Sequence, residues 1–178
     1  MPPSLTLVLG GANSGKSAFA ERLISGFGLP RLYVATAQAF DTEMEAKIAQ
    51  HRVSRGSNWT TVEAPLDAAE ALREAPAGHA ILLDCATLWL SNLMLDDRDP
   101  VDEAPALLNA IADCGAPVVV VSNEVGLGIV PDNTLARRFR SAQGQLNQDL
   151  AARAELVVAV LAGPPLVLKG QLTEARSC

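Results

Sequence analysis

The stretch from residue 5 to residue 17 constrains the fold of this 178-residue chain more than any other. An apolar run at residues 5–9 leads directly into the sequence GGANSGKS at residues 10–17, and residues with helical spacing follow. Glycines let the backbone curl until successive N–H groups face one anion, and the N-terminus of a helix adds donors and a favourable dipole. This stretch therefore predicts a strand, a phosphate-binding loop and a helix, in that order.

Two side chains of the loop supply the rest of the phosphate chemistry. The Lys16 ammonium would neutralise the β- and γ-phosphates of a nucleotide, and the Ser17 hydroxyl would bind Mg²⁺. A glycine-rich turn with an incidental lysine is the alternative. Because the motif lies between an apolar strand and a helix, its context favours a nucleotide site.

Strand-like and helix-like segments alternate along the rest of the chain. Strands are expected at residues 4–9, 31–36, 59–63, 80–84, 118–122 and 156–161, with a last short extended piece after the Gly163-Pro164-Pro165 turn. Helices are expected at residues 16–27, 41–55 with Asp41 as N-cap, 66–74, 86–95 and 133–153. Residues 96–105, with four Asp and two Pro, are expected to form an exposed loop.

These segments predict one α/β domain over residues 1–178, with a P-loop NTPase-type (RecA-like) mostly parallel sheet, helices on both faces and three layers. Strands such as VVVVS at residues 118–122 lack polar alternation, which indicates that both of their faces are covered. Since 49% of the residues are hydrophobic and only 4% aromatic, the core must be aliphatic.

Charge and composition argue against several functions. A net charge of −6 is the wrong sign for a nucleic-acid or anionic-membrane binder. The cysteines, Cys85, Cys114 and Cys178, are odd in number and have no CxxC spacing, and the only histidines are His51 and His79. A disulfide framework or a zinc cluster is therefore not expected. This use of cysteine leads us to expect a reducing cytoplasm. The apolar runs are far shorter than the roughly 20 residues of a membrane span.

Polar or small residues follow four of the predicted strands: the phosphate loop, Ala35-Thr36-Ala37, Asp84 and Ser122-Asn123-Glu124. In open α/β sheets ligands bind at the carboxyl ends of the strands, so these residues are expected to line one nucleotide site. A carboxylate at Asp84 would bind Mg²⁺ or its water. The alternative is that Asp84 caps the helix at residues 86–95.

The segment around His51 contains residues that a simple kinase does not require. A neutral imidazole can attack phosphorus, and the guanidinium groups of Arg52 and Arg55 could stabilise the charge that develops on the phosphoryl oxygens. His51 also lies on the same helical stripe as Met44 and Ile48, where it could simply pack. The residues alone leave both readings open.

Together these stretches resemble the bifunctional adenosylcobinamide kinase/adenosylcobinamide-phosphate guanylyltransferase family of cobalamin biosynthesis. The resemblance covers nearly the whole chain. It rests on LVLGGANSGKS at residues 7–17, YVATAQAFDTEMEAKIAQHR at 33–52 with Arg55, Trp59 and Glu63 after it, AILLDCATLWLSNLM at 80–94, and VVVVSNEVGLGIVPDNTLARRFRSAQGQLNQDLA at 118–151.

The resemblance implies two reactions. The aminopropanol hydroxyl of adenosylcobinamide is phosphorylated with GTP or ATP, and GMP is then transferred from GTP to the new phosphate by way of a guanylyl-histidine, for which His51 is the matching residue. Mg²⁺ would be held by Ser17 and Asp84, and the catalytic residues would be His51 and Lys16. The implied nucleotide contacts are Gly10, Gly11, Ala12, Asn13, Ser14, Gly15, Lys16, Ser17, Ala35, Thr36, Ala37, Arg52, Val53, Ser54, Arg55, Glu63 and Asp84. The family also implies a homo-oligomer, a trimer, with no nucleic-acid partner.

The sequence departs from the family pattern at two positions. Asn13 stands where many members have Arg, and Asp84 where many have Glu; the first removes a charge from the loop and the second shortens a carboxylate by one methylene. Asn123, Glu124 and Gly126 match a family signature that fits either a structural loop or a corrinoid contact. The basic cluster Arg137, Arg138 and Arg140 fits either a solvated helix face or contact with a substrate phosphate or another subunit.

Two other functions fit parts of the sequence. One is a plain small-molecule kinase in which His51 is structural. The other is a nucleotide-binding regulatory module without turnover. A covalent guanylyl label on the protein is the observation that separates the bifunctional enzyme from both.

Overall fold

The computed structural model describes residues 1–38 and 58–172, so the predicted helix at residues 41–55, with its Asp41 cap, lies outside the described residues. The strands within this range are β1 (Leu5–Gly10), β2 (Arg31–Ala35), β3 (Trp59–Glu63), β4 (Ala80–Asp84), β5 (Val118–Asn123), β6 (Leu156–Val160) and β7 (Pro165–Lys169). The helices are α1 (Lys16–Ser25), α2 (Ala68–Arg73), α3 (Ala86–Leu95), α4 (Pro100–Asp113) and α5 (Thr134–Arg153). Apart from residues 96–105 and the helix α4, these elements match the predicted ones to within two residues at each end.

The strands form one sheet in the order β3-β2-β4-β5-β1-β6-β7. The pairs from β3 to β6 are all parallel, and only the edge strand β7 runs antiparallel to its neighbour β6. This arrangement confirms the mostly parallel sheet that the unalternated apolar runs predict.

Each central strand sends alternate side chains to two separate cores. Ile81 and Leu83 of β4 pack in a cluster with α2, α3, α4 and α5, while Leu82 between them packs on the opposite face in a cluster with α1. All three leucine and isoleucine side chains have no exposed surface. Helices therefore cover both faces, and the strands need no polar side.

The segment at residues 96–105 is not an exposed loop throughout, as expected, because the helix α4 begins at Pro100. The Asp99 carboxylate accepts a hydrogen bond from the Val101 N–H at 2.9 Å and so caps the helix. Pro100 is well placed in the first turn, where its missing N–H costs nothing, and Asp102 and Glu103 there complement the helix dipole. The acidic and proline residues of this segment thus form the N-terminus of a helix.

The longest helix within the described residues, α5, is amphipathic. Asn133 caps it by accepting a hydrogen bond from the Ala136 N–H at 2.7 Å. Leu146 and Leu150 are buried against the sheet, whereas most of the remaining positions are polar or charged. No helix in the described part of the chain is long and apolar enough to cross a membrane.

The end of β1 lies so close to β6 that residue 10 must be glycine. A Cβ on Gly10 would collide with the Val160 carbonyl oxygen and with the Ser14 hydroxyl. The neighbouring Gly11 has open space where its Cβ would be. Parallel pairing of β1 with β6 thus presses the phosphate loop against the next strand.

We expect Gly10→Ala to lower the free energy of unfolding by about 1–3 kcal/mol, because the added methyl must displace backbone rather than a flexible side chain. Urea unfolding followed by circular dichroism measures this loss. Gly11→Ala is the matched control and should change stability by less than about 0.5 kcal/mol. Equal losses in both variants would contradict the packing argument.

Candidate active site

The carboxyl ends of the strands place the predicted site residues in a row. Ala35 at the end of β2 pairs with Glu63 of β3 on one side and with Asp84 of β4 on the other. Gly10, where the phosphate loop begins, pairs with Asn123 of β5. Since β5 lies between β4 and β1, all of these residues line one edge of the sheet.

The phosphate loop is held open by its backbone geometry. Gly15 has φ +92° and forms the N-cap of α1 without a side-chain hydrogen bond. Asn13 has φ +55°, a left-handed conformation that asparagine tolerates better than most residues. This gives a local reason for asparagine at this position of the loop.

Lys16 and Ser17 lie at the start of α1, half-buried beside the loop. The Lys16 ammonium donates a hydrogen bond to the Gly11 carbonyl oxygen at 3.1 Å, which keeps the charge over the loop. The first turn of α1 contains no acidic residue, so its positive dipole end is not offset by a carboxylate of that turn. Cation, amides and dipole together favour a phosphate group.

Asp84 does not cap α3; Cys85 does. The Cys85 thiol accepts a hydrogen bond from the Leu88 N–H at 3.4 Å. Burial raises the pKa of the Cys85 thiol to about 11, with the Asp84 charge adding to the increase and the Lys16 charge opposing it. Asp84 and Lys16 therefore both lie near enough to Cys85 to influence the ionisation of its thiol.

Thr36 locks the end of β2 to the end of β4. Its hydroxyl donates to the Cys85 carbonyl oxygen and accepts from the Cys85 N–H, both at 2.8 Å. Asn92 of α3, which the sequence did not single out, donates to the carbonyl oxygens of Thr36 at 2.8 Å and Pro65 at 3.0 Å. A buried helix side chain thus ties together the exits of three strands.

A second buried polar network lies at the end of β5. Gln143 of α5 donates to the Ser122 hydroxyl at 2.9 Å, and Ser122 donates to Asn147 at 2.6 Å. Asn147 donates to the Asn123 carbonyl oxygen at 3.1 Å, and the Asn123 N–H donates to Thr87 of α3 at 2.7 Å. The backbone at the carboxyl end of β5 is therefore held from both neighbouring helices.

The Glu124 carboxylate shapes the loop that follows β5. It accepts hydrogen bonds from the N–H groups of Gly126 at 2.5 Å and Leu127 at 3.1 Å. A Cβ on Gly126 would lie 2.7 Å from the same carboxylate. These contacts favour the structural-loop reading of the Asn123, Glu124 and Gly126 signature.

Two arginines of the basic cluster brace the same loop. Arg140 donates to the Gly126 carbonyl oxygen, and Arg137 donates to the carbonyl oxygens of Pro131 at 3.0 Å and Asp132 at 2.6 Å. These two side chains therefore bind backbone carbonyl groups and do not merely form a solvated helix face. The sequence pattern of charges alone does not reveal these hydrogen bonds.

Four predicted site positions and the predicted nucleophile lie outside the described residues: Arg52, Val53, Ser54, Arg55 and His51. Within residues 1–38 and 58–172, no group of three or more His, Cys, Asp and Glu side chains could hold a metal ion.

Comparison with solved structures confirms the predicted fold class. The RadB recombinase matches with a TM-score of 0.57 and 17% identity, covering 96% of this chain and 83% of that one. An ATPase from a bacterial type III secretion system matches with a TM-score of 0.51 and 11% identity, over 87% of this chain and 50% of that one. At such identities the likeness concerns the fold alone.

Comparison of sequences shows the family as well as the fold. The bifunctional adenosylcobalamin biosynthesis protein CobP of Pseudomonas aeruginosa is 49% identical over 93% of this chain and 97% of its own length. The CobU proteins of Escherichia coli and Salmonella typhimurium, described in the same words, are 41% and 42% identical over 93% of this chain and 99% of theirs. The family model described as cobinamide kinase / cobinamide phosphate guanyltransferase matches residues 6–168. This chain belongs to that family.

Proposed function

We propose that this chain carries out both reactions of its family in cobalamin biosynthesis. It phosphorylates the hydroxyl of adenosylcobinamide with GTP or ATP, and it transfers GMP from GTP to the resulting phosphate, giving adenosylcobinamide-GDP and pyrophosphate. The observation that carries the proposal is the shared sheet edge, which is lined by the phosphate loop, Thr36, Asp84 and Glu63. The family match over residues 6–168 supports the same assignment.

In the kinase step, the loop holds the triphosphate and Lys16 offsets the charge on the transferred group. The substrate hydroxyl oxygen forms a bond to the γ-phosphorus as the bond to the β-phosphate oxygen breaks. The loop amides and Lys16 are fixed before the reaction, so they need not reorganise as charge moves to the leaving diphosphate.

The residues at this edge fit a Mg²⁺ ion. Ser17 offers a hydroxyl oxygen and Asp84 a carboxylate oxygen, which are the hard donors that Mg²⁺ prefers. A bound ion would neutralise charge on the phosphate oxygens. Asp84, held through the Thr36–Cys85 hydrogen bonds, keeps a carboxylate at the sheet edge to receive it.

In the guanylyl step, we propose that neutral His51 attacks the α-phosphorus of GTP and pyrophosphate leaves. The phosphate of the cobinamide substrate then attacks the guanylyl-histidine and releases His51. Arg52 and Arg55 would stabilise the charge on the α-phosphate oxygens. This assignment is supported by the family match over residues 6–168, a range that includes His51.

The family resemblance also leads us to propose a cytoplasmic homo-oligomer, a trimer. The loop after β5 supports an assembly, because it exposes Leu127, Ile129 and Val130 at 87%, 97% and 66% of their full surface. Neighbouring exposed apolar side chains of this kind mark interaction surfaces.

We expect His51→Ala to abolish covalent labelling by GTP that carries radiolabel at the α-phosphate, because the nucleophile is gone. Wild-type enzyme with Mg²⁺ near neutral pH should acquire an acid-labile label that survives denaturation. His79→Ala is the matched control: the exposed His79 ring forms a hydrogen bond with the Ala77 carbonyl oxygen at 3.4 Å, before β4 begins and so away from the carboxyl ends of the strands, and its loss should leave labelling intact. An unlabelled wild type that still phosphorylates cobinamide would identify a plain kinase.

We expect Lys16→Met to lower the kcat of cobinamide phosphorylation by about 10²–10³-fold, because a fixed cation is lost from the developing charge. Lys169→Met is the control, since Lys169 only donates to the carbonyl oxygens of Ala151 and Ala152 at the end of α5. Steady-state assays of ADP release measure both variants. A similar drop in the two would place Lys16 outside the reaction.

We expect Asp84→Asn to raise the Mg²⁺ concentration needed for half-maximal kinase activity by about tenfold, because a neutral amide is a weaker ligand than a carboxylate. Asp84→Glu restores the residue common in the family and should keep the wild-type requirement to within about twofold. Mg²⁺ titration of the kinase rate measures the shift. An unchanged requirement in Asp84→Asn would remove Asp84 from the cation site.

A further inference from the structure

An open cavity of about 530 Å³ lies at the amino ends of β2 and β3, on the edge of the sheet opposite to the phosphate loop. Arg31 begins β2 and Trp59 begins β3, and the two residues pair in register. Ala35 is the last residue of β2, so about 13 Å of strand separates the two edges at a rise of about 3.3 Å per residue. The volume of this cavity is within the range of pockets that hold small molecules.

Two contacts hold the Arg31 guanidinium at this cavity. Its Nη1 donates a hydrogen bond to the Ser25 hydroxyl, at the end of α1, at 2.7 Å. Its Cζ lies 5.2 Å from the centre of the Trp59 ring, which is a cation–π contact. The Tyr33 ring packs edge-on against Trp59, with the ring centroids 6.1 Å apart. The cation is therefore oriented before any ligand binds, which lowers the entropy that binding must cost.

The charge of Arg31 is not compensated by the described part of the chain. Its Nε is buried and has no hydrogen-bond partner. No Asp or Glu side chain among residues 1–38 and 58–172 forms an ion pair with it. A buried donor without an acceptor costs free energy, and an anion bound in the cavity would reduce that cost.

The rest of the lining favours an anion over a cation. Among the described residues that line the cavity there is no Asp or Glu. Asn58, just before β3, adds a neutral amide whose N–H groups can donate to an oxyanion. A guanidinium with neutral donors beside it is a receptor for phosphate and carboxylate groups.

We propose that this cavity binds a small molecule through a phosphate or carboxylate group, and that Arg31 is the residue that neutralises this group. The site is separate from the phosphate loop, and it does not depend on the proposed function. Because the guanidinium lies over Trp59, an anion that binds to Arg31 changes the electric field at the indole ring. Trp59 therefore reports binding directly.

The indole N–H signals in NMR provide the test, because the chain has two tryptophans. Titration with inorganic phosphate or with acetate should shift the Trp59 signal until it saturates. The Trp89 signal should stay in place, because the buried Trp89 indole donates to the Leu66 carbonyl oxygen at 2.8 Å. Trp59→Phe assigns the two signals, and sodium chloride at equal ionic strength should move neither. The anion that binds more tightly shows whether the ligand carries a phosphate or a carboxylate.

Arg31→Met should weaken binding of the better anion by about tenfold or more, because hydrogen bonds to a charged group are lost. Arg31→Lys, which keeps the charge, should bind with an affinity between those of Arg31→Met and wild type. Arg22→Met is the matched control, since Arg22 is exposed on α1 and is not among the described residues that line the cavity. Lys16→Met removes the cation of the phosphate loop and should leave the Trp59 response unchanged.

Three results overturn the proposal. The first is a Trp59 signal that neither phosphate nor acetate moves. The second is equal anion binding by wild type and Arg31→Met while the Trp89 signal shows that the variant is folded. The third is a Trp59 response that disappears in Lys16→Met, because the anion would then be bound at the phosphate loop.

Discussion

The parallel pairing of β1 with β5 and β6 is the constraint on which the rest of this structure depends. It brings the carboxyl ends of strands that are far apart in sequence to one edge, and it presses the turn after β1 against Val160 so closely that residue 10 has no room for a side chain. The loop then curls around its own amides, with left-handed backbone at Asn13 and Gly15. Phosphate binding follows from this backbone shape, to which side chains add charge.

Buried polar contacts hold the site where strand pairing alone would leave it loose. Thr36, Asn92, Ser122 and Gln143 are almost wholly buried in the described structure, and each makes hydrogen bonds across elements. A buried polar group without a partner costs free energy, so such networks specify one arrangement of the strand ends. The helices α3 and α5 thereby act as braces for the sheet edge, in addition to covering the apolar core.

The elements that could be predicted from the sequence are those that depend on local patterns of residues, and the contacts that were missed join distant residues. The glycine-rich loop, the apolar strands and the capped helices leave patterns over a few neighbouring residues, and their positions agree with the structure. The start of α4 had such a pattern too, in Asp99, Pro100 and the acids that follow, but its acidic composition suggested a loop. The hydrogen bonds of Thr36 with Cys85 and of Asn92 with Thr36 leave no such local pattern, because they join residues that are 49 and 56 positions apart in the sequence. The roles of His51 and its neighbouring arginines remain predictions from the sequence.

By itself, the sequence determined the described strands and the described helices other than α4, the phosphate loop and the family, since each depends on residues that are adjacent or matched in a pattern along the chain. The tertiary structure alone decided which strand ends become neighbours: the row of Glu63, Ala35 and Asp84, the arginine braces on the loop after β5, and the pairing of Arg31 with Trp59 at the opposite edge. The physical reason is that parallel pairing is made by backbone hydrogen bonds between distant segments, and backbone groups are the same in every residue but proline.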